Sequence, residues 1–171
     1  MEMAFNVKKF YLTLTCCILL QLAGCSSSPK NTSTSISYTI GETLPASQAR
    51  KVVIQEAITL IGKPYKLSGN SPREGFDCSG LVFYSYLKAG KLLPRRAEDQ
   101  YLSSRKVNDV KPGDLVFFTT DSRGRHIDHV GIYVGEQQFI HAPGKGRGVT
   151  TANITESYWQ QRYKGAGNYL D

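Results

Sequence analysis

The chain has 171 residues, 40% hydrophobic and 20% charged, with a formal net charge of +7. These proportions suit one globular domain plus a processed end and exclude a disordered chain. The Lys and Arg are scattered, without the basic stripe or reading module that nucleic-acid binding needs. They read as a solvated basic surface, and no nucleic acid is expected.

The first element reads as an export signal. Lys8 and Lys9 precede an apolar run from Phe10 to Gly24, too short to span a bilayer comfortably. The run ends Leu22-Ala23-Gly24-Cys25, which resembles the lipobox of bacterial lipoproteins. That resemblance implies residues 1–24 as a signal peptide, removed before Cys25, and acylation of Cys25. Ser26 rather than Asp follows, which in Gram-negative cells of the enteric type implies sorting to the outer membrane, facing the periplasm. Membrane attachment is then through lipid. Residues 25–46 are rich in Ser and Thr and read as a flexible tether, about 70 Å long when extended. Cys16 and Cys17 leave with the signal and Cys25 carries lipid, so Cys78 is the one thiol of the mature chain and has no partner for an intramolecular disulfide.

The domain is read over residues 47–171. Ser47 is a candidate N-cap for a helix in which Ala49, Val52, Val53, Ala57, Leu60 and Ile61 recur at helical spacing, stopped by Gly62 and Pro64. A second helix starts at Cys78 or Ser79 and ends at Gly90, and a short turn follows around residues 97–102. The pattern then changes to strand formers: Asp114 to Phe118, His129 to Val134 and Gln138 to Ala142. A helix is predicted from Thr155 through Tyr163 and a last strand from Gly167 to Leu170. Helices followed by strands predict an α+β domain with an antiparallel sheet.

Cys78 lies in Gly75-Phe76-Asp77-Cys78-Ser79-Gly80, at the first turn of the second helix. Exposed N–H groups and the helix dipole there favour a thiolate, while Asp77, the candidate N-cap, opposes it. An adjacent imidazolium is therefore needed to depress the thiol pKa. His129 opens one strand and His141 closes the next. The two share a face only if the connection around residues 135–138 has an odd number of residues or a bulge; a plain two-residue loop puts His141 on the other side. On one face, His129 accepts the thiol proton and His141 orients its ring, the layout of an acyl-transfer hydrolase. The competing readings are a buried structural thiol and a zinc site, and the latter lacks a close-spaced ligand pair. His126, in a Gly/Arg-rich loop, reads as a solvated bystander, and Tyr158 and Trp159 as core rather than a sugar platform.

Asp77-Cys78-Ser79-Gly80, Pro112-Gly113-Asp114-Leu115-Val116-Phe117-Phe118, His129-Val130-Gly131-Ile132-Tyr133 and Phe139-Ile140-His141-Ala142 together resemble the NlpC family of papain-like cell-wall peptidases. Gly62-Lys63-Pro64-Tyr65, Leu93-Pro94-Arg95 and Tyr158-Trp159 also fit its pattern. The resemblance covers residues 50–170. It implies an α+β papain-like fold, with N-terminal helices packed on a small antiparallel barrel-like sheet. It also implies hydrolysis of amide bonds in peptidoglycan stem peptides or their cross-links, through a thioester and without metal or other cofactor. Cys78 matches the nucleophile, His129 the base and His141 the third member. Tyr65 matches a tyrosine for substrate or oxyanion binding, although core packing is as natural a reading of it. Asp77 and Ser79 match residues that in some relatives hold the free amine of a stem peptide. Ser68 stands where many relatives have glycine. A monomer is expected. A silent wall-binding module, or an amidase or acyltransferase using the same triad, are the alternatives.

Overall fold

A computed structural model describes residues 44–121 and 124–171. The signal peptide, Cys25 and the tether up to residue 43 lie outside the described residues. The first helix, α1, spans Ala46–Thr59. Its N-cap is Pro45 rather than Ser47: the Pro45 carbonyl accepts from the backbone N–H groups of Gln48 and Ala49 at 2.9 Å, so Ser47 already sits inside the first turn. Ala49, Val53 and Ala57 are fully buried one turn apart and form the stripe that meets the rest of the core.

A short hairpin of β1 (Asn70–Ser71) and β2 (Gly75–Phe76) leads into α2 (Cys78–Lys88). Gly90, at φ +73°, ends that helix: its N–H bonds the Leu87 carbonyl and the next N–H, of Lys91, bonds the Tyr86 carbonyl. Helix α3 (Ala97–Ser103) follows. The remaining strands are β3 (Arg105–Val107), β4 (Leu115–Phe118), β5 (His129–Gly135), β6 (Gln138–His141), β7 (Thr150–Asn153) and β8 (Tyr163–Asn168). They form one six-stranded antiparallel sheet in the order β3-β8-β4-β5-β6-β7. The α+β class is as predicted, but the sheet is open, ending on β3 and β7, and is not a closed barrel.

Alternation sorts the sheet residues onto two faces. Leu115, Phe117, Val130, Ile132 and Ile140 join the core that α1 and α2 cover. Val116, Phe118, Phe139, Trp159 and Ala166 form a second cluster on the opposite face. The predicted helix over 155–163 shrinks to one turn, α4 (Ser157–Gln160). The sheet claims the chain before more helix can form, because the Arg162 carbonyl accepts from Thr119 N–H and Tyr163 pairs with Phe118. The last strand is correspondingly earlier than predicted. Asn168 closes it, its side-chain oxygen accepting from the N–H groups of Leu170 and Asp171.

The β5–β6 connection determines whether both imidazoles reach one face. Glu136 (φ +50°) and Gln137 (φ +61°) make a two-residue turn with both φ angles positive. Alone it would separate the histidines. However, the register shifts between Tyr133 and Gly135, from Tyr133 opposite Phe139 to Gly135 opposite Gln138. This bulge supplies the extra residue and returns His129 and His141 to the same face.

Candidate active site

Asp77 is the N-cap of α2, its Oδ1 accepting from Gly80 N–H at 2.7 Å. Gly80 packs so tightly that a Cβ there would lie 2.0 Å from the Gly69 carbonyl oxygen, which holds the helix start against the preceding loop. The same carboxylate is gripped by Arg95, whose Nη1 reaches Oδ1 at 2.9 Å and Nη2 reaches Oδ2 at 2.8 Å. Arg95 also donates to Ser79 Oγ and the Gly69 carbonyl. Asp77 Oδ2 further accepts from the N–H of Ser68 at 2.9 Å. Ser68 has φ +61°, which accounts physically for a position where glycine is the easy residue.

This clamp presents Cys78 at the first turn of α2. Its Sγ donates to the carbonyl of Asp128 at 3.7 Å. The backbone N–H groups of Ser79 and Val130 point at the sulfur and favour its anion, but burial outweighs them and Asp77 adds repulsion, pushing the thiol up to about 11. The depressed thiol that the helix start suggested is therefore not the resting state. The sulfur lies against the backbone on either side of His129, since Asp128 supplies the carbonyl and Val130 the N–H.

His129 approaches from the other face of the sheet. Its Nε2 is 2.8 Å from Nδ1 of His141, and both residues are buried. Trp159 stacks on the His129 ring, with centroids 5.4 Å apart and planes 24° apart, and stands edge-on to His141. Burial lowers His129 to about 4, with Asp128 partly opposing and Arg147 assisting; burial also lowers His141 to about 3, with His129 and Arg147 contributing. Burial thus favours the neutral form of the thiol and of both imidazoles.

Cys78, Tyr65, Asp77 and Ser79 line one cleft of about 540 Å³ together with Arg96, Glu98 and Asp128. His126 is exposed, as its loop suggested, but it sits on this cleft's rim and pairs with Glu98 at 3.2 Å. Tyr65 is half-buried, its N–H held by the Arg147 carbonyl at 3.0 Å. Three contributors escaped the sequence reading of the site. Arg95 stands in the Leu93-Pro94-Arg95 pattern with no role assigned to it, Asp128 belongs to no motif quoted above, and Trp159 reads as core. No residue spacing pairs Arg95 with Asp77 across 18 positions.

Residues 62–168 match the model of the NlpC/P60 family. The chain belongs to that family. Among its NlpC/P60 relatives, the protein named Murein DD-endopeptidase MepH of Escherichia coli (strain K12) is 44% identical over 124 residues, covering 70% of this chain and 45% of MepH. Gamma-DL-glutamyl hydrolase of Bacillus subtilis (strain 168) is 44% identical over 116 residues, covering 66% of this chain and 28% of that protein. The crystal structure of an NlpC/P60 family protein from Bacillus cereus ATCC 10987 superposes with a TM-score of 0.68 at 30% identity, over 76% of this chain and 42% of that one. The chain spans less than half the length of each.

Proposed function

We propose that this chain is a cysteine endopeptidase of the cell envelope that hydrolyses amide bonds in peptidoglycan stem peptides or their cross-links. The observation that carries the reading is the 2.8 Å contact between His129 and His141 at the strand end against which the Cys78 sulfur packs. With Nε2 of His129 engaged by His141, Nδ1 is the nitrogen left to act on the thiol.

In this mechanism Sγ of Cys78 attacks the amide carbon while its proton passes to Nδ1 of His129. The tetrahedral oxyanion is met by the Cys78 backbone N–H, with the Tyr65 hydroxyl as second donor. Collapse breaks the C–N bond as His129 returns the proton to the leaving amine, which leaves a thioester on Cys78. Water, deprotonated by His129, then releases the acid and the free thiol. Burial favours the neutral thiol and imidazole, so in this mechanism proton transfer accompanies attack. A free amine of the substrate placed at Asp77 and Ser79 would meet a carboxylate that Arg95 already neutralises. In this reading those two residues chiefly hold the helix start in place.

A lipid at Cys25, an outer-membrane location and a monomeric state complete the proposal; the lipobox resemblance supports the first two. The test is digestion of purified sacculi, with released muropeptides identified by mass. The wild type is expected to release peptides that Cys78→Ala does not, and unchanged sacculi with folded wild type would refute the reading.

A further inference from the structure

His129 borders a second hollow that the cleft around Cys78 does not include. This cavity, about 340 Å³, is lined by Thr120, His129, Pro143, Arg147, Glu156, Tyr158 and Trp159. Cys78 lines one hollow and His129 the other. A scissile amide attacked by Cys78 and protonated by His129 must reach both hollows. The acyl half occupies the Cys78 cleft. The leaving amine must lie beside the imidazole that protonates it, so the residue carrying that amine enters the second hollow.

The charge in this hollow is specific. Arg147 is exposed, and among the described residues its guanidinium has no hydrogen-bond or ion-pair partner. Its backbone, by contrast, is fully used: the N–H bonds the Gly144 carbonyl and the carbonyl holds Tyr65. The side chain is thus a free cation on a fixed mount, close enough to act electrostatically on both imidazoles. Trp159 and Tyr158 form an aromatic wall, and Glu156, partly engaged by the N–H of Asn153, discourages a second anion.

Resting on the endopeptidase reading above, we infer that this hollow is the leaving-group subsite and that Arg147 binds a free carboxylate on the residue that supplies the leaving amine. The guanidinium fork suits a carboxylate bidentately, and a primary amide in its place leaves that fork without an anion. The substrate class is an amide whose nitrogen belongs to an amino-acid residue with an unblocked carboxyl group.

Two measurements test this. First, a pair of synthetic stem peptides, differing only in whether the leaving residue's carboxyl is free acid or primary amide, is compared as substrates. The acid is expected to have a kcat/KM about tenfold or more higher, mainly through KM. Arg147→Gln should erase that preference and Arg147→Lys should keep part of it. Second, the corresponding amine products, as acid and as amide, are titrated into Cys78→Ala protein, with and without Arg147→Gln, so that binding is read without turnover. The acid is expected to bind about tenfold more tightly only where Arg147 is present. If the wild type cleaves acid and amide equally, or Arg147→Gln retains the preference, the subsite assignment is overturned while the peptidase reading stands. If no peptide is cleaved but the Arg147-dependent binding preference is found, the carboxylate site stands and the peptidase reading fails.

Discussion

Nε2 of His129 lies 2.8 Å from Nδ1 of His141, and this contact between two buried rings couples their tautomers. One proton occupies the gap. For His129 to keep a free Nδ1 toward the thiol it must donate from Nε2, so His141 accepts at Nδ1 and carries its own proton on Nε2. On the proposed mechanism His141 is therefore a positioning residue. His141→Ala should lower kcat by about 10²–10⁴-fold with little change in KM, whereas His141→Asn, whose amide oxygen still accepts, should recover part of the loss. Steady-state kinetics on a soluble stem peptide separates these outcomes. An equal effect on KM would argue that His141 touches substrate.

The two imidazoles also tie stability to pH. Each titrates near 6.5 when unfolded, while burial lowers His129 to about 4 and His141 to about 3 in the fold. As pH falls below 6.5 the unfolded chain takes up protons that the native chain refuses. Stability is therefore present above pH 6.5 and lost progressively down to about pH 3. Urea unfolding between pH 7 and 4 should show a falling midpoint, and His141→Asn should make that fall shallower by removing one titrating ring.

Arg95 joins Asp77, Ser79 and the Gly69 carbonyl in one fork. Arg95→Ala should destabilise by about 1–3 kcal/mol, because it leaves a part-buried carboxylate without its counter-charge. Arg95→Lys should rescue little, since one ammonium cannot span those acceptors. Chemical denaturation measures both, and the same variants should lose activity through displacement of the Cys78 helix start.

Gly131 shares the histidines' face of the sheet, and a Cβ there would come within 2.4 Å of the Phe139 ring. Phe139 in turn packs on His141, with centroids 5.0 Å apart. Gly131→Ala should cost about 1–3 kcal/mol in stability and reduce kcat more than an equally destabilising change on the helix-covered face, because the displaced ring pushes on His141. Comparing it with Ile132→Val in both assays tests this.

What could be read from the chain follows from where the information lies. The α2 start was legible because Asp77, Cys78 and Gly80 are local signals, and the strands of both histidines were legible from their alternation. The parity condition for His129 and His141 was readable, as was a bulge around Gly135 as one way to meet it; that the bulge forms, rather than a plain two-residue loop, is decided by the pairing of β5 with β6. The Arg95 clamp and the Trp159 stack depend on chain segments meeting in space. β1, β3 and β7 are short and poorly buried, so hydrophobic periodicity did not mark them. The thiol's raised pKa was misjudged because helix position is local, whereas the burial that dominates it comes from the fold.

In the proposed reaction the Cys78 sulfur becomes acylated during turnover. The direct measurement is to mix enzyme and stem peptide, quench in acid within one turnover, and map adduct mass by proteolysis. The expected result is a transient adduct equal to the acyl half of the substrate on the fragment containing Cys78, and its loss in His129→Ala. Full turnover with no adduct on that fragment, together with retained cleavage in Cys78→Ala, would contradict it.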